Sequence, residues 1–374
     1  YIRMKYITKL ILFCILILLC YTLYYRVLNN EEKEGFNSTC EEMMSQFNAG
    51  VSITNINLRQ RVLTEKKQYK DYFLRDFYIK TAHNCCAVGS FSGSIVDKCA
   101  LHNCIKQGAR CLDFQIFSQN DMPVIGTSSV NSRWIKESAN TMSILDALSI
   151  VNNNCFNAPS PNPKDPLFLH FRIQSENIII YDKLADIITS TIDESRLLSK
   201  NYQFEYHNNN LGSEPIENLM GKVIIIIDGK NTFYQNSKLL YKQVNITSNS
   251  IYLRLLRDDD VRSNGDIDEL KSHNQRSMTL SIPNMKSKPI NFKAKFHRDV
   301  GCQFIAMNFQ NLDEEMKQYH QFFDDHTSAF VLKPRHLRYV PIELTVPKKQ
   351  TENPELKKMN LIPDLDMEPI VLGI

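Results

Sequence analysis

The segment Pro166–Ile173 reads Pro-Leu-Phe-Leu-His-Phe-Arg-Ile, an alternation that suits a β-strand. Side chains on a strand repeat every second residue, so His170 and Arg172 share one face. An imidazole moves protons near neutral pH, and a guanidinium beside it suits an anion such as phosphate. A second alternating run, Cys111–Phe117, carries Asp113 and Gln115. His83 and Asn84 follow a third, shorter strand candidate, Phe77–Ile79. His83 has a bland reading, a histidine bonded to Asn84, Asp113 or a backbone group, and a chemical one, the remnant of a proton-transfer site. The ten cysteines set no metal pattern. Cys99 and Cys104 are loosely spaced, and the adjacent Cys85 and Cys86 cannot by themselves hold one zinc ion with good geometry. They read as small buried apolar residues, with a disulfide or two if the domain faces an oxidising space.

A net charge of +3 over 374 residues is too small and too spread to indicate nucleic acid. The excess of Asn, Ile and Lys points to an AT-rich genome, a protist's or a large DNA virus's, and says nothing about chemistry. The elements that must position the candidate residues alternate. Phe77–Ile79, Cys111–Phe117, Pro166–Ile173 and Lys222–Ile227 are strand-like, while Met142–Val151 and Tyr181–Leu198 have apolar residues at helical spacing. Strand–helix alternation predicts βαβ units and a parallel sheet. The stretch Asn231–Gln275, with its run Asp258-Asp259-Asp260, reads as a long polar connection, and strand signals return at Met278–Ile282 and Gln303–Phe309. Val346–Ile374 reads as an extended tail, and no internal repeat is present.

Leu10–Tyr25 is apolar and uncharged, and with Ile7 and Val27-Leu28 it nears the roughly 20 residues that span a bilayer. Arg3, Lys5 and Lys9 precede it, and Glu31, Glu32 and Glu34 follow, which predicts a cytoplasmic N-terminus with the bulk of the chain on the other side. Tyr21, Tyr24 and Tyr25 suit an aromatic belt. No small-x-small cleavage site follows, so a retained single-pass anchor is expected rather than a cleaved signal. Asn37-Ser38-Thr39 and Asn245-Ile246-Thr247 are glycosylation sequons compatible with translocation.

Two blocks carry a resemblance. The first runs from Asp76-Phe77-Tyr78-Ile79 through Thr81-Ala82-His83-Asn84 to Gly108-Ala109-Arg110-Cys111-Leu112-Asp113 and Pro123-Val124-Ile125. The second is Gly301–Gln310 (GCQFIAMNFQ), closing with Phe330-Val331-Leu332-Lys333-Pro334. Together they resemble the X and Y halves of eukaryotic-type phosphatidylinositol-specific phospholipase C, over roughly Asp71–Arg338. The resemblance implies an α/β fold, a distorted TIM barrel split by a variable linker, here with an N-terminal transmembrane helix. The expected organisation is an anchor at 1–28, a stalk at 29–70, an X-like half at 71–232, a linker at 233–276, a Y-like half at 277–339 and a tail at 340–374.

The family uses two histidines for acid–base work and a calcium ion on carboxylate and amide oxygens. By the resemblance, His83 matches the first histidine, a vestigial general base, and Asn84 the first calcium ligand. Asp113 stands where the family has Glu, and Gln115 where it has Asp. Gly126-Thr127-Ser128-Ser129 replaces the stretch of the second histidine, and Arg172 stands in place of the last calcium ligand. A guanidinium beside a divalent cation is repulsive, so the expectation is no calcium, no other cofactor, and an Arg172–Asp113 pair instead. Among residues for the inositol phosphate only Lys230 survives. Asp228 or Ile226 falls at another of its positions, and Leu280-Ser281-Ile282-Pro283 lacks the family's Arg and Tyr.

The expected function is therefore a membrane-anchored, catalytically inactive relative with a structural or lipid- or protein-binding role. The alternative is an active, metal-independent phosphodiesterase that pairs His83 with His170 and uses Arg172 as a phosphate clamp. Trp134 and the aromatics of Tyr319–Phe323 read as packing or as a membrane-facing ridge. Lys33-Glu34-Gly35-Phe36 after the apolar run resembles leaders of giant-virus membrane proteins, which suggests a virion membrane or minor capsid setting, with phosphoinositide headgroups or capsid proteins as partners.

Overall fold

The computed structural model describes residues 13–22, 39–47, 50–130 and 135–340. Eight parallel strands follow one another around a barrel: β1 (Phe77–Ala82), β2 (Cys111–Gln119), β3 (Leu167–Ile173), β4 (Val223–Asp228), β5 (Ile246–Ser248), β6 (Leu253–Arg257), β7 (Met278–Ile282) and β8 (Phe304–Met307). Hydrogen-bonded neighbours run β6-β7-β8-β1-β2-β3-β4-β5, so the ladder is open only between β5 and β6. Barrel strands are covered on both faces, which is why β4 is an unbroken apolar run, Val223–Ile227, buried throughout. Inside, Phe168 of β3 meets Phe304 of β8 edge to face at 5.1 Å, and burying each such ring contributes about 1.5–3 kcal/mol. On the outer face Phe114 and Phe171 stack at 5.5 Å.

Helices fill the crossovers: α2 (Lys98–Lys106), α3 (Ile144–Asn154), α4 (Ile178–Thr191), α5 (Lys238–Gln243), α7 (Ile267–Arg276) and α8 (Ala294–Asp299), with a short α6 (Asp258–Arg262) after β6 and a final α9 (Glu314–Asp325). Their starts are set by capping side chains: Asp97 accepts from the Cys99 amide, Ser143 from Asp146 and Asn177 from Ile179. That capping places α4 three residues earlier than the apolar spacing alone indicates, and it ends at Thr191 rather than Leu198.

Two expectations are corrected. The polar stretch Asn231–Gln275 is not a connection: it contributes β5 and β6 to the barrel, together with α5, α6 and most of α7. The polar residues around these two short strands, and the acidic run that follows β6, hide them in the sequence. The stalk also docks. Ile53 and Ile56 are buried in the core, the Ile56 amide donates to Asp165 Oδ1 at 2.8 Å, and α1 (Cys40–Ser45) seats Met43 against Val88 and Ala100.

Cys40 is joined to Cys99 by a disulfide, while Cys85, Cys86, Cys104, Cys111, Cys155 and Cys302 are free and buried. Asn245 is buried, with its amide bonded to the Ile225 amide and the Tyr202 carbonyl, so that sequon is closed to modification. Residues 13–22 are helical with exposed apolar side chains, and among the described residues no helix is long and apolar enough to cross a membrane. The rest of the Leu10–Tyr25 run, Lys33–Phe36, Asn37, Trp134 and the tail beyond 340 lie outside the described residues. Tyr319 and Phe323 are buried in packing, and the Tyr319 hydroxyl bonds the backbone of Thr81 and Ile305.

Candidate active site at the barrel mouth

The pleat and the register bring the candidate residues together. Parallel pairing sets Asp113 beside His170 and Gln115 beside Arg172, and because Ala82 at the end of β1 pairs with Leu112, this level lies just past the C-terminal end of β1, the end where TIM barrels carry their sites. His83 and Asn84 leave the end of β1, with Asn84 turning at φ +42°. That turn aims the Asn84 amide at Asp113 Oδ2, 2.9 Å away.

Asp113 is the hub and has no solvent exposure. Oδ1 accepts from His170 Nδ1 and Arg172 Nε, both at 2.8 Å. Oδ2 accepts from the Asn84 amide and from Arg172 Nη2 at 2.8 Å. Burial alone would raise its carboxyl pKa, but the Arg172 charge and the bond from His170 hold it well below the usual range. In the opposite sense, burial lowers the Arg172 pKa and Asp113 more than restores it. His170 Nε2 meets Ser248 Oγ of β5 at 2.9 Å. Gly229 lies close against the Ser248 backbone: its amide donates to the Ser248 carbonyl at 2.9 Å, and a Cβ at Gly229 would meet that oxygen at 2.7 Å.

His83 has a defined proton. Asn308 spends its Nδ2 on the Ile290 carbonyl at 3.0 Å, so its Oδ1 faces His83 Nδ1, also at 3.0 Å, and Nδ1 is the donor. Nε2 then keeps its lone pair and takes a long contact of 3.4 Å from Arg172 Nη2. Burial, partly offset by Asp113, holds the His83 pKa down to about 3. The ring is neutral at ordinary pH and packs edge-on to Phe91 at 5.4 Å.

The oxygens that the resemblance nominates for calcium are taken. Asn84 Oδ1 accepts from Arg172 Nη2 at 2.7 Å, Gln115 Oε1 accepts from the Ser128 amide at 3.1 Å, and Asp113 accepts four donors. Calcium needs six to eight oxygens facing it. A cation on these positions would meet N–H groups instead, and the residues present do not fit it.

Above the cluster lies a cavity of about 150 Å³ bordered by Gln115, Arg172, Asp228, Lys230, Asn249, Arg257 and Asp260, among others. Arg172 reaches it; His83, Asn84, Asp113 and His170 do not border it. Lys230 is exposed at its rim, and its amide bonds Asp228 Oδ1 at 3.0 Å. Arg257, Ser248 and the holding role of Asn308 are not apparent from sequence reasoning. Arg257 ends a strand just as Arg172 nearly ends β3, and the acidic run after it masks that signal.

The barrel has a PI-PLC-like phosphodiesterase fold, and the chain is PI-PLC-like. Residues 230–336 match the family model described as phosphatidylinositol-specific phospholipase C, Y domain. Over 100 residues the chain is 33% identical to 1-phosphatidylinositol 4,5-bisphosphate phosphodiesterase zeta-1 of Bos taurus, which covers 26% of this chain and 16% of that protein. The fold is similar to the crystal structure of S. officinalis PLC21, with TM-score 0.59, 15% identity, and 77% of this chain and 39% of that chain covered. It is equally similar to L. pealei PLC21, with TM-score 0.59, 15% identity, and 76% and 38% covered. The chain thus spans well under half the length of these relatives.

Proposed function

We propose that this protein is a PI-PLC-like barrel that does not cleave phosphodiesters and acts as a binding component. The observation that supports this is the Arg172 guanidinium, which covers both oxygens of Asp113, the amide oxygen of Asn84 and Nε2 of His83. A general base must reach the proton it removes. Here the lone pair of His83 faces an arginine rather than the cavity, and no histidine among the described residues borders that cavity. No calcium is part of this proposal, because the nominated oxygens are already bonded. Attachment to a membrane belongs to the proposal through the uncharged run Leu10–Tyr25. The full chain, incubated with phosphatidylinositol and its phosphorylated forms in calcium and in chelator, should release no inositol phosphate above a His83→Ala control.

A second reading has one observation in its favour: His83 is held neutral with Nε2 unprotonated, the form a base requires. Release that needs His83 but is indifferent to calcium would establish that reading and overturn the first.

A further inference from the structure

The segment before the barrel runs along its side from the mouth end to the base. At the mouth end, Met43 of α1 packs on Val88, in the loop after β1, and on Ala100 in the first turn of α2. The chain then follows α9 from start to end. Gln46 Oε1 accepts from the Leu312 amide at 3.3 Å, the Phe47 ring meets His320 edge-on at 5.7 Å, and the Ser52 amide donates to Asp324 Oδ1 at 3.3 Å. The Thr54 amide donates to the Thr327 carbonyl at 3.0 Å, and by Ile56 the segment has reached the opposite end, where Asp165 precedes β3.

Its two ends are held unequally. At the base, Ile53 and Ile56 join the main core, and Ile53 sits so close on Gly108 that a Cβ there would stand 3.1 Å from its Cδ1. The Ile56 amide is bonded to Asp165, and Asn55 Oδ1 accepts from the Lys164 amide at 2.7 Å. At the mouth, α1 joins only a satellite cluster of Met43, Val88 and Ala100. It has six residues, and a helix this short does not persist in water by itself. Its firm hold is covalent, the Cys40–Cys99 disulfide to the first turn of α2. Both cysteines are half-buried and within reach of a reductant, whereas Cys85, Cys86, Cys104, Cys111, Cys155 and Cys302 are buried.

We propose that Cys40–Cys99 is a redox latch that sets where the chain leaves the barrel: at the mouth end when oxidised, at the base when reduced. In exchange with a dithiol, a thiolate attacks one sulfur and the second thiol resolves the mixed disulfide. Two electrons and two protons pass to Cys40 and Cys99, and the dithiol closes its own disulfide. α1 then leaves Val88 and Ala100, while the contacts of Thr54 and Ile56 stay. The stretch from Cys40 to Ile53 becomes a tether of about 45 Å when extended, at about 3.3–3.6 Å per residue. The latch concerns the route of the chain, not the chemistry of the mouth, and holds under either functional reading above.

The test is hydrogen exchange, read by mass spectrometry on the full chain before and after dithiothreitol, in chelator to keep stray metal off Cys40, Asp97 and Cys99. In the oxidised protein the Met43 and Phe47 amides are bonded to the Thr39 and Met44 carbonyls. Reduction should speed exchange over 40–47 by about tenfold or more and leave the Thr54 and Ile56 amides unchanged. Cys99→Ser and Cys40→Ser should each show the fast exchange without reductant, and dithiothreitol should add nothing further in either. Exchange over 40–47 unmoved by reduction, or Thr54 and Ile56 loosening together with α1, overturns the latch. So does alkylation of Cys40 and Cys99 in oxidised protein that has seen no reductant.

Discussion

Arg172 grips Asp113 as a fork, Nε on Oδ1 at 2.8 Å and Nη2 on Oδ2 at 2.8 Å. Two parallel N–H···O bonds of this kind are stronger and more directional than one. The carboxylate is fully buried, so losing the arginine leaves a charge with no counterion. Arg172→Met should lower stability by about 3–5 kcal/mol, read from urea unfolding. A loss below about 1 kcal/mol would mean that His170 and the Asn84 amide suffice to hold Asp113.

The same fork makes a prediction about metal. Arg172→Glu places a second carboxylate beside Asp113 and frees Asn84 Oδ1, which now accepts from Arg172. The variant should unfold at lower temperature than wild type in chelator and recover with calcium, since an ion bound at 100 times its Kd stabilises by about 2.7 kcal/mol. Wild type should show no calcium shift. A thermal scan in both buffers checks this, and a calcium-dependent rise in wild type would contradict the fit argument.

Stability should fall in mild acid. Burial holds the His83 pKa down to about 3, against about 6.5 in an unfolded chain. Between those values the unfolded chain binds a proton that the folded one excludes, so unfolding free energy rises with pH. The contribution is complete above about pH 6.5 and is lost as pH falls toward 3. Asp113, held well below its ordinary value, adds a loss in the same direction at lower pH. Denaturant midpoints across this range should fall less steeply for His83→Gln, which keeps a donor for Asn308. An unchanged slope would assign the acid loss to other groups.

Lys80 lies inside the wall. It has no solvent exposure, its Nζ has no hydrogen-bond partner among the described residues, and it stands 5.7 Å from the Phe323 ring centroid. Burial holds its pKa down to about 7. Lys80→Met should therefore stabilise by about 1–3 kcal/mol. The gain should be largest at or below pH 7 and shrink as pH rises toward the unfolded value near 10.4, because wild type no longer carries a charge in that window. A destabilised Lys80→Met at pH 6.5 would show that the ammonium has a partner.

The barrel was legible where apolar runs are long: β3 and β4 show their pleat and burial in the letters alone. His170 and Arg172 share a face because one strand holds both, and period two needs no tertiary knowledge. What was not legible comes from across the barrel. Ser248 reaches His170 only because β5 lies beside β4, and Arg257 reaches the mouth only because β6 is a strand at all. β5 has only three residues, and the aspartates after β6 imitate a linker. The Asn308 contact to His83 spans 225 residues of sequence, beyond any local pattern.

The gap between β5 and β6 has a consequence for how the chain can be cut. No strand ladder joins them, and Ile251, on the short link between Ser248 and Leu253, is 71% exposed. A backbone break there would sever no sheet hydrogen bond. Two separately made pieces ending and starting at Ile251 would each carry whole strands, and among the described residues the strand pairings between the pieces would be β8 with β1 and the antiparallel pairing of Phe330–Leu332 with β1. The two pieces would meet along β1 by hydrogen bonds and across the β5–β6 gap by side chains alone, and reassembly from fragments is the behaviour that such a division permits.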